Sequence, residues 1–160
     1  MTNINLKFRD WTFEVDRELT IKTYEKVPDS GADGCICNDC KNYVAYRDNV
    51  FPSEIKQLFI NLGIDYKKEV EITSFGKIEN GLHHIGGWFH FKGKVLSGKD
   101  YRVPVPGGGY TFDLTKITDN FEIGFAEGNA STFFDDKISL VQIEFMTNIP
   151  WVIDKTLESE

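Results

Sequence analysis

All the cysteines of this sequence fall within six residues, Cys35-Ile36-Cys37-Asn38-Asp39-Cys40. Thiolates two or three positions apart on a tight loop can point at one centre, which is what a zinc ion requires of its ligands. A fourth ligand has to come from elsewhere, and His83, His84 and His90 are the only imidazoles in the chain. They sit in a stretch that reads as a strand, where a rise of about 3.3 Å per residue puts His84 and His90 on the order of 20 Å apart. At most one of them serves a given ion, and we take His90. A CxC with one further cysteine is a weaker signature than paired CxxC motifs, and two other chemistries fit it. Cys37 and Cys40 have the spacing of a redox pair, which a helix N-terminus would activate, although Asp39 opposes thiolate formation and the βαβ surroundings of thioredoxin-like motifs are missing. Free cysteines are also among the most buried residue types, so the three can simply pack.

The second candidate group is polar. Glu71 opposite His90, with Trp88 and His84 on the same side of a sheet, would form a general-base pair or a small binding surface, although an exposed cross-strand pair of this kind contributes only about 0.2–1 kcal/mol and is common. Asp135-Asp136 offers carboxylates to a cation but reads more simply as a solvated loop. No nucleophile elbow, P-loop or HExxH occurs, and Gly107-Gly108-Gly109 lacks the Lys-Ser/Thr that would follow in a phosphate cradle.

These residues need elements to hold them. Ile4, Leu6 and Phe8 share one face of a strand, Trp11, Phe13 and Val15 one face of the next, and Leu19 and Ile21 continue the alternation. Val27–Gly34 is dense in turn formers and opens the loop that carries the cysteines. A short helix around Tyr43–Tyr46 would take Asn38 or Asp39 as its cap. A clearer one follows Pro52, with Ile55, Leu58, Phe59 and Leu62 on one stripe and Gly63 as the stop. Asn80-Gly81 then predicts a two-residue hairpin turn pairing Glu79 with Leu82, Lys77 with His84, Thr73 with Trp88, Ile72 with Phe89 and Glu71 with His90. Further strands are predicted near Tyr101–Val105, Tyr110–Lys116, Phe121–Phe125 and Ile138–Met146. The sum is an α+β chain, a mainly antiparallel β sandwich or barrel with a short segment of two helices after the cysteine loop. We place one domain at residues 1–155 and a frayed tail at 156–160.

Composition narrows the function classes. A length of 160 residues suffices for one core without a metal to hold it, and 13 Phe, 6 Tyr and 3 Trp favour strands. A net charge of −7 opposes nucleic acid, and no Lys/Arg run exceeds the pair Lys67-Lys68. Neither an export signal nor a membrane-length apolar run is present, so a cytoplasmic location with reduced thiols is expected.

Four blocks, Cys37–Asn42, the helix leading to Leu62-Gly63-Ile64-Asp65, Gly81–Phe91, and Ile143-Glu144-Phe145 with Pro150-Trp151, resemble a family of uncharacterised bacterial proteins. The resemblance spans Cys35 to Trp151 and implies shared motifs but no activity. The reading that follows is a non-enzymatic intracellular domain that binds a protein partner with a basic surface, in the manner of an immunity protein neutralising a basic toxin. Its alternative is a zinc-binding protein, or a metal- or thiol-dependent enzyme, centred on Cys35, Cys37 and Cys40.

Overall fold

The computed structural model describes residues 3–160. Alternating apolar and charged residues form β1 (Ile4–Phe8) and β2 (Trp11–Val15), an antiparallel pair with Phe8 opposite Trp11. Leu19 and Ile21 do not extend this strand, as their spacing suggests; they lie in α1 (Arg17–Glu25). Asp16 overrides the alternation, because its Oδ1 accepts from the Leu19 amide at 3.1 Å and satisfies a first-turn N–H. The face α1 buries is Thr20 and Tyr24, one turn apart and only partly apolar, so no hydrophobic stripe announces the helix.

The remaining strands are β3 (Glu71–Lys77), β4 (His83–Ser97), β5 (Arg102–Pro104), β6 (Tyr110–Phe112), β7 (Thr115–Lys116), β8 (Phe121–Glu127) and β9 (Leu140–Ile149). The main sheet runs β1-β2-β4-β9-β8-β7 with β3 also on β4, while β5 and β6 form a separate hairpin. At 15 residues β4 has room for β3 along its first half and β2 along its last. Between them α1 stands in for a strand. The Tyr24 hydroxyl donates to the His90 carbonyl at 2.8 Å and accepts from the His90 amide at 3.0 Å. Thr20 Oγ1 accepts from the Lys92 amide, and the Asp16 amide donates to the Lys92 carbonyl. Side-chain hydroxyls thus satisfy edge groups that would otherwise be buried unpaired.

Asn80-Gly81 does turn the β3–β4 hairpin, but with a three-residue loop. The Ile78 amide donates to Leu82 O at 2.8 Å, the Gly81 amide to Ile78 O at 2.9 Å, and Gly81 sits at φ 85°, a type I turn closed by a left-handed glycine. That extra residue and a bulge between Ser74 and Gly76 slide the predicted register, by one near the turn and by two beyond the bulge. Lys77 faces His83 instead of His84, Thr73 faces Gly86 instead of Trp88, Ile72 faces Gly87 instead of Phe89, and Glu71 faces Trp88 instead of His90. Side chains alternate along a strand, so a slip of two leaves Ile72 on the same face as Phe89.

The helices expected after the cysteine loop are α2 (Asn38–Tyr46) and α3 (Ser53–Leu62). Ile55, Leu58, Phe59 and Leu62 are the buried stripe of α3, and Gly63 ends it at φ 87°. Phe51, just before α3, packs its ring 5.1–5.8 Å from those of Phe59, Phe89, Phe121 and Phe145, joining the helical layer to one sheet face. The sheet coils strongly enough that Trp11 and Phe13 of β2 each reach within 4.9 Å of Phe125 on β8, across β4 and β9. It does not close into a barrel: the architecture is α+β, with a seven-stranded antiparallel sheet, α3 packed through Phe59 on its core face and α1 bonded along the β4 edge. Among the described residues no helix is long and apolar enough to cross a membrane.

The tail at 156–160, expected to fray, lies against the fold. Lys155–Leu157 form a 3-10 turn, Glu158 Oε2 lies 2.7 Å from His83 Nε2, and Ser159 Oγ donates to Asp39 Oδ1 at 2.6 Å. Asn42 secures the approach to it, its side chain donating to Pro150 O at 3.1 Å and accepting from the Val152 amide at 2.7 Å. Trp151 stacks at a tilt on His83, with centroids 5.1 Å apart. The blocks around Cys37–Asn42, His83 and Pro150-Trp151 therefore meet in one clamp.

Candidate metal centre

The cysteines are presented by a turn that is fixed from below. Glu69, fully buried, accepts from the Ala32 amide at 3.1 Å and from Arg47 Nη1 at 3.3 Å, and its carbonyl accepts from the Gly31 amide at 2.9 Å. Burial raises the Glu69 carboxyl above the usual carboxylate range, and the Arg47 charge opposes that rise. Arg47 also donates to Ser30 Oγ and Asp33 Oδ1. Gly31 is required by contact: a Cβ there would lie 2.1 Å from Val70 O.

Leaving this turn, the chain enters α2 through Cys37, which is the N-cap in place of the expected Asn38 or Asp39. Cys37 Sγ accepts from the Cys40 amide at 3.4 Å, and Cys35 Sγ accepts from the Cys37 amide at 3.4 Å. Cys35 and Cys37 sulfurs touch at 3.1 Å, and all three sulfurs lie within 4.8 Å of one another. Cys35 and Cys37 are thus in direct contact, with the Cys40 sulfur within 4.8 Å of both. The Cys37 amide, together with thiol contacts from Cys37 and Cys40, holds the Cys35 pKa below that of an ordinary thiol, whereas burial pushes the Cys40 thiol up. Cys37 is exposed, Cys35 half-buried and Cys40 buried.

His90, the expected fourth ligand, does not join the cysteine cluster. It is fully buried in β4 with Nε2 3.2 Å from Gln142 Oε1, and the group that can converge on one ion is the cysteine trio alone among the described residues. His83 is engaged by Glu158, and His84 Nδ1 by Asn148 Oδ1 at 2.8 Å. Asp136 pairs with Lys92 at 3.0 Å and accepts from the Ile138 amide.

The polar surface expected at Glu71, Trp88 and His84 lies on the sheet face away from α2 and α3, but its chemistry differs from the Glu71–His90 pair. Across β3, β4 and β9, Glu71, Trp88 and Glu144 stand in one row, with His90 beside Gln142 in the next. Gln142 Nε2 donates to Glu144 Oε1 at 2.8 Å, and its Oε1 accepts from the Ala130 amide at 3.1 Å. With that oxygen as acceptor, His90 donates from Nε2, and its buried Nδ1 has no partner to receive a second proton. Burial accordingly holds His90 down to about 4. Burial pushes Glu144 up to about 7, against hydrogen bonds from Gln142 and Tyr101 and with the Glu71 charge adding to the rise. Gln142, Glu144 and Tyr101 escaped the sequence reading. Alternation in β9 puts Gln142 and Glu144 away from the core face, but only the folded chain shows that Tyr101 and the β8–β9 loop cover them.

Neither family models, nor curated proteins, nor solved structures give a match to this chain.

Proposed function

We propose that this chain is a metal-binding protein in which Cys35, Cys37 and Cys40 hold one zinc ion as thiolates. The observation that carries the reading is convergence: three sulfurs within 4.8 Å of one another, on a turn that Arg47 and Glu69 fix without help from an ion. A tetrahedral zinc with sulfurs at about 2.3 Å spaces them about 3.8 Å apart. The 3.1 Å contact of Cys35 with Cys37 then opens by roughly 0.7 Å, within reach of side-chain rotation. The amide-rich start of α2 favours thiolates there. Three protein ligands leave one position for water or an exchangeable ligand on the exposed side of Cys37, the donor set of a reactive rather than a closed site. Association with a basic protein is the second reading, and ranks behind because a net charge of −7 names no particular surface.

Native mass spectrometry of protein purified without chelator or polyhistidine tag tests the proposal. One zinc per chain is expected, lost on changing any of the three cysteines to Ser. Protein of apo mass whose thiol titration is the same before and after EDTA would overturn it.

A further inference from the structure

Spacing alone would pair Cys37 with Cys40, since CxxC is the usual redox unit. The arrangement of the sulfurs favours a different bond. Cys35 and Cys37 are in contact at 3.1 Å and are the two that solvent reaches, whereas Cys40 is 6% exposed and packs in the core. Ile36, the residue between them, is 89% exposed, so its side chain has no packing to lose if the short loop tightens. Backbone amides of Cys37 and Cys40 already hold the Cys35 and Cys37 sulfurs side by side over the start of α2.

We infer that Cys35 and Cys37 form a reversible disulfide when the protein meets a hydroperoxide, with Cys40 left as a thiol, and that this step expels the metal. The expulsion rests on the zinc reading; the pairing does not. The exposed Cys37 sulfur attacks a peroxide oxygen, forming S–O as O–O breaks, and the departing hydroxide takes a proton to become water. Cys35 sulfur then attacks Cys37 sulfur, forming S–S as S–O breaks, and a second water leaves. In sum two thiols and one hydrogen peroxide give one disulfide and two waters, the sulfurs losing the two electrons that the peroxide gains. Two equivalents of a small thiol such as glutathione reverse it by exchange. A zinc ion deprived of two of three thiolates keeps only Cys40 and is released.

The sequence supplies a clean test. An endoproteinase that cleaves before aspartate cuts at Asp33, Asp39 and Asp48, separating a peptide with Cys35 and Cys37 from one with Cys40. Apoprotein is treated with one equivalent of hydrogen peroxide, alkylated under denaturing conditions and digested. The inference expects a 33–38 peptide lighter by two hydrogens and unalkylated, beside a fully alkylated Cys40 peptide. The two peptides joined, or both fully alkylated, would overturn it. In parallel, zinc-loaded protein should release one ion for each disulfide formed, read with a chromogenic chelator. If the internal disulfide forms but no zinc was ever bound, the metal reading fails and the pairing stands. If zinc binds and Cys37 joins Cys40, the pairing fails and the metal reading stands.

Discussion

Replacing Glu144 with Gln should stabilise the protein at pH 8 and leave it nearly unchanged at pH 4.5. The carboxyl is pushed from 4.5 up to about 7 by burial. A folded-state pKa above the unfolded one means that the fold holds the proton more tightly. The associated stability is fully present below pH 4.5 and is lost as pH rises through 7. At about 1.4 kcal/mol per pH unit the loss reaches about 3 kcal/mol, which the amide of Gln does not suffer. His90 acts in the opposite sense. Burial lowers it from 6.5 to about 4, so its contribution is present above pH 6.5 and lost as pH falls through 4. The two slopes oppose each other between about pH 4.5 and 6.5 and flatten the wild-type profile. Urea unfolding from pH 4.5 to 8 separates them: Glu144→Gln should gain stability with rising pH through the His90 range, and His90→Gln should lose it through the Glu144 range. The raised carboxyl of Glu69 is common to all three proteins and cancels in the differences. Parallel profiles for wild type and Glu144→Gln would refute the reasoning.

Tyr24→Phe removes the hydroxyl that serves both the amide and the carbonyl of His90, and should cost about 3 kcal/mol in urea unfolding, with faster exchange of the His90 amide; a cost below about 1 kcal/mol would mean that water replaces it. Arg47→Met leaves the buried Glu69 carboxylate without its cation, and about 3 kcal/mol should be lost at pH 7, with part regained at low pH where Glu69 takes a proton. Gly31→Ala drives a Cβ against Val70 O and should displace the cysteine turn, weakening zinc binding in a competition titration by about tenfold, or about 1.4 kcal/mol, while α3 stays folded by circular dichroism.

What the sequence makes legible is what local pattern controls. The stripe of α3, the core face of β4 with Ile85, Phe89 and Phe91, and the close spacing of Cys35, Cys37 and Cys40 all appear in the folded chain as their periods predict. The failures have a different origin. Asp16 turns an alternating run into a helix because one carboxylate satisfies one amide, a single-residue effect that alternation cannot carry. The hairpin register depends on a loop one residue longer than the minimum and on a bulge, each invisible to a face pattern that survives a slip of two. Scarcity of histidine points to His90 as a metal ligand, yet its neighbour is set by Gln142 of β9, 52 residues downstream. Glu144 reads as a surface residue until the chain around Tyr101 covers it.

The bulge beside Phe75 does more than shift partners. β3 pairs only with β4, so its outer side presents backbone groups on which another chain could build a strand. An uninterrupted, flat strand there would invite edge-to-edge growth. Here the ladder breaks between Ser74 and Gly76, and Gly76 has φ 102°, outside the range of a regular strand, so the edge is no longer straight. Lys77 follows, held by Glu158 at 3.5 Å, and the end of the chain passes close to Gly76. The irregularity that defeats a simple reading of the hairpin thus also interrupts the edge that β3 leaves unpaired, a device of the kind that blunts sheet edges.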